Sequence, residues 1–375
     1  MTGKRRAVVA AKFSTELLPA REPVRLIDQR GRLTRRRGGE YALPAPEVLL
    51  SAYRALVLGR RFDQQATSLV KQGRLAVYPS SHGQEASEVG AVLALSPTDW
   101  IFPTYRDSVA LVTRGIDPVE VLTLLRGDWH CGYDPMAHRT APQCTPLATQ
   151  ALHAVGVAYA AKAKGEDTAV LAFLGDGATS EGDFHEALNF AAVFQAPVVF
   201  FVQNNQYAIS VPLARQTVAP SLAHKGVGYG IPGVGVDGND VAAVLSVVTH
   251  AAERARSGGG PTLVEAHTYR MEAHTNADDA SRYRTEEEVT AWRERDPVSR
   301  LTTYLRQADL LDDARIAELA EEAERNAADL RERISGQVPP GPDELFAHVY
   351  ATPTPQLTEQ AGLLRAELAD LAEES

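Results

Sequence analysis

Cysteine is almost absent from this chain of 375 residues. The only two, Cys131 and Cys144, exclude a disulfide framework and fit a reducing compartment. They stand near His130 and His138, but the spacing matches no compact zinc motif. No run approaches the roughly 18 apolar residues that a membrane span needs, so no membrane partner is expected. An overall basic excess is also missing. The formal net charge is -10, which argues against nucleic acid as a partner. No internal repeat is visible, and no low-complexity stretch beyond the N-terminal forty residues.

What is there suits one large α/β domain with extensions. Hydrophobic residues make up 44% and charged residues 23%, enough apolar material for a sizeable core. The charge is uneven. Residues 1–40 hold eleven Lys/Arg against four Asp/Glu, a net of +7, which leaves about -17 for the rest. Residues 1–40 are therefore expected to form a basic arm, either solvated or docked onto an acidic partner. Residues 41–350 would form the main domain, and 351–375 an acidic amphipathic C-terminal helix. The first fifteen residues are basic and acid-poor, like a transit peptide. Arg outnumbers Lys 32 to 6 and Ala is abundant, a composition of GC-rich bacterial genomes, so a bacterial cytoplasm is the expected location.

Apolar periodicity predicts a helix opening at Pro44 and Pro46 and a second one after His82-Gly83-Gln84-Glu85. A short strand is expected over 99–102 and a long loop over 127–146. From Ala148 the pattern becomes regular: a small-residue helix to 163, a strand from Thr168 to Leu174, a helix from Gly175-Asp176-Gly177 to Phe194, and a strand from Val198 to Val202. Strand, helix, strand in this order predicts parallel pairing with right-handed crossovers. A helix capped near Asp240, a strand from Thr262 to His267 and a mostly helical remainder complete the pattern.

In open parallel sheets, ligands gather at the carboxyl ends of the strands. Asp176 ends one strand, Asn204 and Asn205 end the next, and His274 lies past a third. The glycines around Asp176 admit close backbone approach, and a following helix turns free N–H groups toward an anion. Asp176 and Asn205 offer hard oxygens of the kind Mg²⁺ takes beside phosphate. Together these features describe a diphosphate pinned through a metal.

The stretch GDGATSEGDFHEALNFAAVFQAPVVFFVQNNQYAIS (175–210) resembles the thiamine-diphosphate motif of the alpha subunits of 2-oxoacid dehydrogenases. The resemblance spans about residues 45–350 and includes YPSSHGQEAS (78–87), FPTYRDS (102–108), TPLATQ (145–150) and YRMEAHTNADDASRYR (269–284). It implies a thiamine-diphosphate-binding α/β fold, a parallel central sheet flanked by helices, with an N-terminal arm and a helical C-terminal extension. It implies Asp176 and Asn205 as side-chain ligands of Mg²⁺, with the carbonyl of Tyr207 as a third. Tyr105 and Arg106 match the pair that holds the diphosphate, where the rigid fork of Arg suits phosphate oxygens. Gly175, Gly177 and Ala178 would present backbone to it, and Thr145 and Leu147 match positions that touch the aminopyrimidine ring. Some relatives carry arginine where this chain has Gln203. A monovalent cation, K⁺, would sit around Thr149 and Gln150. His274 matches the active-site histidine, a group able to exchange protons near neutral pH. Mitochondrial relatives carry a phosphorylated serine directly after it, where this chain has Thr275.

The implied reaction is the oxidative decarboxylation of a small 2-oxoacid, with the acyl group passed to a lipoyl-bearing acyltransferase. The carboxylate that activates the cofactor belongs, in such enzymes, to a beta subunit, so a two-alpha, two-beta assembly is expected. TPLATQ and HTNADD lean toward branched-chain substrates, and VQNN also occurs in pyruvate-type relatives. Acetoin dehydrogenases share the pattern. A non-catalytic binding module would lack the combined set of Arg106, Asp176, Asn205 and His274. A free-standing enzyme of transketolase type would need a second cofactor half, for which 375 residues leave no room.

Overall fold

The structure, a computed structural model, describes residues 17–34, 40–128, 130–336 and 341–373. Among the described residues seven strands form: β1 (Trp100–Phe102), β2 (Val170–Gly175), β3 (Val198–Asn204), β4 (Tyr207–Ala208), β5 (Val211–Pro212), β6 (Gly233–Asp237) and β7 (Thr262–His267). Helices before the sheet's main run are α1 (Pro46–Lys71), α2 (Glu85–Leu93), α3 (Ser108–Arg114), α4 (Pro118–Arg126) and α5 (Pro135–His138). Within it come α6 (Thr149–Lys164), α7 (Gly182–Phe194) and α8 (Val241–Arg254). Helices α9 (Glu286–Arg293), α10 (Pro297–Gln307), α11 (Asp313–Ser335), α12 (Glu344–Ala347) and α13 (Pro355–Glu373) follow it.

Five strands make one parallel sheet in the order β1-β2-β3-β7-β6, while β4 and β5 form a small antiparallel hairpin. Strands β2 and β3 read as unbroken apolar runs, because both faces of this sheet are covered. On one face Ala172, Leu174, Phe200 and Val202 pack under α6 and α7. On the other, Leu171, Phe173, Val199 and Phe201 pack under α2 and α8. A further layer buries α1 against α3, α4, α10 and α11 through Leu49, Leu56, Leu305 and Leu330. This is the expected mixed α/β architecture with a parallel central sheet between helices.

The described part of the expected arm differs from a solvated tail. Val24 pairs in parallel with Val236 on the edge strand β6, and its N–H donates to the Gly235 carbonyl at 2.8 Å. The buried Asp240 carboxylate accepts the N–H groups of Leu26 and Ile27 at 2.7 and 2.8 Å. Val24 and Ile27 supply apolar side chains that close this edge. The remaining arm residues, 1–16 and 35–39, lie outside the described residues. The expected loop 127–146 contains one helical turn, α5, because Asp134 caps it by accepting from Met136 N at 2.8 Å. Helix α13 buries only Ala361.

Candidate functional site

Because the sheet strands run parallel, their carboxyl ends share one edge, and four neighbouring strands each deliver a candidate residue there. Strand β1 runs into Tyr105 and Arg106, β2 into Asp176, β3 into Asn205, and β7 into the loop of His274. A cavity of about 480 Å³ lies between them. The twelve positions that the resemblance ties to thiamine diphosphate or Mg²⁺ line it: Tyr105, Arg106, Thr145, Leu147, Gly175, Asp176, Gly177, Ala178, Gln203, Asn205, Tyr207 and His274; of the pair expected at a monovalent cation, Gln150 lines it and Thr149 does not.

At its floor three oxygens converge. The side-chain oxygen of Asn205 faces the Tyr207 carbonyl at 3.1 Å and Asp176 Oδ1 at 3.3 Å. Three acceptors this close repel one another unless an N–H or a cation lies among them. Turning the Asn205 amide places its nitrogen there and relieves the conflict. With the oxygen inward, the separations approach the ~3 Å edge of an octahedron whose metal–oxygen bonds are about 2.1 Å long. The donor set is hard and oxygen-only, so it fits Mg²⁺. Burial pushes the Asp176 carboxyl up, and a hydrogen bond from Gln216 Nε2 at 2.6 Å opposes that; a cation would hold it ionised.

The turn after Asp176 is tighter than the single helix expected from the sequence. Residues Gly177–Ser180 form a 3₁₀ turn, and α7 starts only at Gly182. Thr179 Oγ1 donates back to the Asp176 carbonyl at 2.7 Å, which holds the tight turn. At Gly177 a Cβ would lie 2.7 Å from the Cβ of Ala208, so the β4 hairpin leaves room only for glycine.

His274 sits between two guanidinium groups. Its Nδ1 lies 3.0 Å from Arg106 Nη2 and 3.4 Å from Arg270 Nη1. A guanidinium can only donate, so Nδ1 is the acceptor and Nε2 carries the hydrogen of the neutral ring. Burial first, then the charges of Arg106 and Arg270, push the imidazole down to about 4. Asp278 accepts the His274 N–H at 2.8 Å and fixes the loop. Arg270 is fully buried and also donates to the Tyr207 carbonyl at 3.3 Å. Sequence reasoning did not single it out, although it stands inside the motif at 269–284, three residues past the end of β7. Gln84, Cys144, Glu181 and Ile209 also line the cavity and were not singled out.

Gln203 reaches the cavity wall with its amide already engaged. Its Nε2 donates to Asp107 Oδ1 at 2.5 Å, and its oxygen accepts from Gln84 at 3.1 Å. Thr145 and Leu147 stand exposed at the rim. Just inside, Thr149 donates to Asp183 at 3.1 Å, and Gln150 Nε2 donates to the Phe173 carbonyl at 2.8 Å. The buried Gln150 side-chain oxygen has no hydrogen-bond partner among the described residues, which leaves it available to a cation.

The family model described as "Dehydrogenase E1 component" matches residues 53–336, most of the chain. The chain belongs to the dehydrogenase E1 component family. With that family it joins the thiamine-diphosphate-dependent oxidoreductases. It is 49% identical to the 3-methyl-2-oxobutanoate dehydrogenase subunit alpha of Mycobacterium tuberculosis, across 93% of this chain and 95% of that relative. It is 39% identical to the pyruvate dehydrogenase E1 component subunit alpha of Acholeplasma laidlawii, across 89% of this chain and 96% of the relative. The corresponding Staphylococcus aureus subunit is 37% identical, with 84% of each chain covered. The chain is thus a homologue of branched-chain 2-oxoacid dehydrogenase alpha subunits, and pyruvate-type alpha subunits are more distant.

Proposed function

We propose that this chain is the alpha subunit of an alpha2-beta2 enzyme that oxidatively decarboxylates a branched-chain 2-oxoacid. The acyl group would pass to the lipoyl domain of a partner acyltransferase, in the bacterial cytoplasm. The observation that carries this reading is the meeting of Arg106, Asp176, Asn205 and His274, from four adjacent strand ends, in one cavity.

Bound thiamine diphosphate supplies the nucleophilic carbon and the electron sink for loss of CO₂. The residues of this chain bind and orient. Asp176, Asn205 and the Tyr207 carbonyl would hold Mg²⁺, and Arg106 and Tyr105 would take the diphosphate with the N–H groups of Gly177 and Ala178. Thr145 and Leu147 would border the aminopyrimidine end, and Gln150 and Thr149 would hold K⁺. His274 offers its Nε2 hydrogen as a neutral donor beside the reacting end. Gln203, with its amide engaged by Asp107, shapes the wall rather than donating freely.

An exposed apolar face supports the beta partner. Helices α6 and α7 both begin at the cavity, where Ala148, Gln150 and Glu181 line it. Their outer faces expose Tyr159, Phe190, Val193 and Phe194, with Phe190 and Phe194 stacked at 5.9 Å. A face of this kind marks a protein interface. Branched-chain choice is supported by the relative at 49% identity and by the apolar wall of Val77, Pro79, Leu125 and Ile209. Pyruvate is the alternative.

The test is cofactor binding, measured by calorimetry with Mg²⁺ on the assembled enzyme. Asp176→Ala is expected to weaken thiamine diphosphate about 100-fold or more. Unchanged affinity would contradict the metal assignment.

A further inference from the structure

The segment Ser80–Gly83 touches both arms of the site. On one side the Ser80 carbonyl accepts from Arg106 Nη1 at 3.1 Å, and Ser81 Oγ donates to the Arg106 carbonyl at 2.8 Å. On the other, the His82 carbonyl accepts the Met271 N–H at 3.0 Å, and the Gly83 carbonyl accepts from Thr268 Oγ1 at 2.6 Å. Gly83 has φ +97°, and a Cβ there would fall 2.2 Å from the Tyr269 carbonyl oxygen, so the crossing tolerates no side chain. Behind the segment the buried Asp63 accepts Ser80 Oγ and Ser81 N at 2.7 Å each, and Tyr78 Oη at 2.9 Å. The segment is therefore fixed from three directions.

The chain leaves the sheet at His267, and beyond Met271 it becomes the irregular loop that carries His274. At its start, two residues before His274, Glu272 Oε1 meets His82 Nδ1 at 2.9 Å. The rest of the loop is held by other contacts: Asp278 accepts the His274 N–H and the Tyr283 hydroxyl, and Arg284 joins the loop's end to its start by donating to the Met271 carbonyl at 2.7 Å. The His82–Glu272 contact is thus a side-chain tie between the fixed segment and the first turn of the loop.

We propose that His82 is a positioning residue which, through Glu272, holds the His274 loop in the register that brings the imidazole to Arg106 and Arg270. Its consequence for the reaction rests on the functional reading above; the tie itself does not. The charges around it set its pH response. Burial disfavours the charged imidazole, while Glu272 and Glu85 favour it and Arg60 opposes it, with a net upward shift. Glu272 is held down by His82 first, with Arg284 and Arg293 assisting. The charged pair is present below the folded-state value of His82 and is lost as pH rises through it, leaving the neutral ring donating to the Glu272 carboxylate. Both side chains are partly exposed, at 30% and 55%, which limits the effect.

The test is amide exchange of residues 271–284 in the full-length chain across about pH 6 to 9, read as protection factors so that intrinsic rates cancel. In wild type, protection should fall as pH rises. His82→Ala should lower it about three- to tenfold at the acidic end. His82→Asn, whose amide nitrogen occupies the Nδ1 position without titrating, should keep protection and lose the pH dependence. In the assembled enzyme His82→Ala should raise KM for thiamine diphosphate more than it lowers kcat. Equal protection in His82→Ala and wild type at every pH would overturn the proposal, as would a pH response that survives in His82→Asn. Failure of the wild type to bind cofactor would instead count against the functional reading and leave the exchange result standing.

Discussion

His274 shows how neighbours decide what a side chain can do. A solvated histidine titrates near 6.5, but two guanidinium groups and burial hold this one near 4. Both arginines meet Nδ1, so the ring is a neutral donor through Nε2 at physiological pH. The sign follows from the depressed value. Between about 4 and 6.5 the unfolded chain takes up a proton that the folded chain refuses, so falling pH in this window costs stability. For activity, the acid limb of kcat/KM assigned to His274 should fall near 4. Arg270→Gln removes one of the two positive charges and should move that limb upward, toward neutral pH. A limb that stays in place in Arg270→Gln would show that Arg270 does not tune the histidine.

At the scale of elements, helix α7 serves two purposes. Its inner face, Phe184, Ala187, Leu188 and Ala191, is buried on the sheet, while Phe190, Val193 and Phe194 face outward. Phe190→Glu should leave the fold intact by circular dichroism and weaken association with the beta subunit on size-exclusion chromatography. The expected loss is about 100-fold, since a charge would be buried without a partner. Association at wild-type strength would move the interface elsewhere. The same elements show what the sequence could reveal. Strands β2, β3 and β7 and helices α1, α6, α7 and α8 were legible because long apolar runs and periodic faces mark them. Strand β6 was not, since Gly233-Val-Gly-Val-Asp is short and two of its five residues are glycine, and it becomes a strand only by pairing with β7 and Val24. The docking of residues 17–34 was hidden for a related reason. It depends on Asp240, more than 200 positions away, turning its carboxylate toward two backbone N–H groups. In the site, motif residues on strand ends were legible one by one. Arg270 was not, because its role comes from what it touches: the Tyr207 carbonyl and the His274 ring.

Under the proposed function, the whole molecule presents half of a reaction centre. Its cavity gathers the residues proposed to hold Mg²⁺ and the diphosphate together with His274, its lining includes the exposed Leu147 and Ile209, and α6 and α7 carry an exposed apolar face. Obligate interfaces bury about 2,000 Å² or more and are rich in such apolar groups. The account therefore predicts that catalysis belongs to the assembly and that an apolar pocket wall favours a branched side chain. Added methylenes in such a wall are worth roughly ten- to two-hundredfold in kcat/KM. The most direct measurement is decarboxylation of 2-oxoisovalerate and of pyruvate by this chain with its beta subunit, thiamine diphosphate, Mg²⁺ and an artificial electron acceptor. The account predicts turnover only when both subunits are present, faster with 2-oxoisovalerate. Turnover by this chain alone, or of neither substrate by an assembly that binds the cofactor, would contradict it.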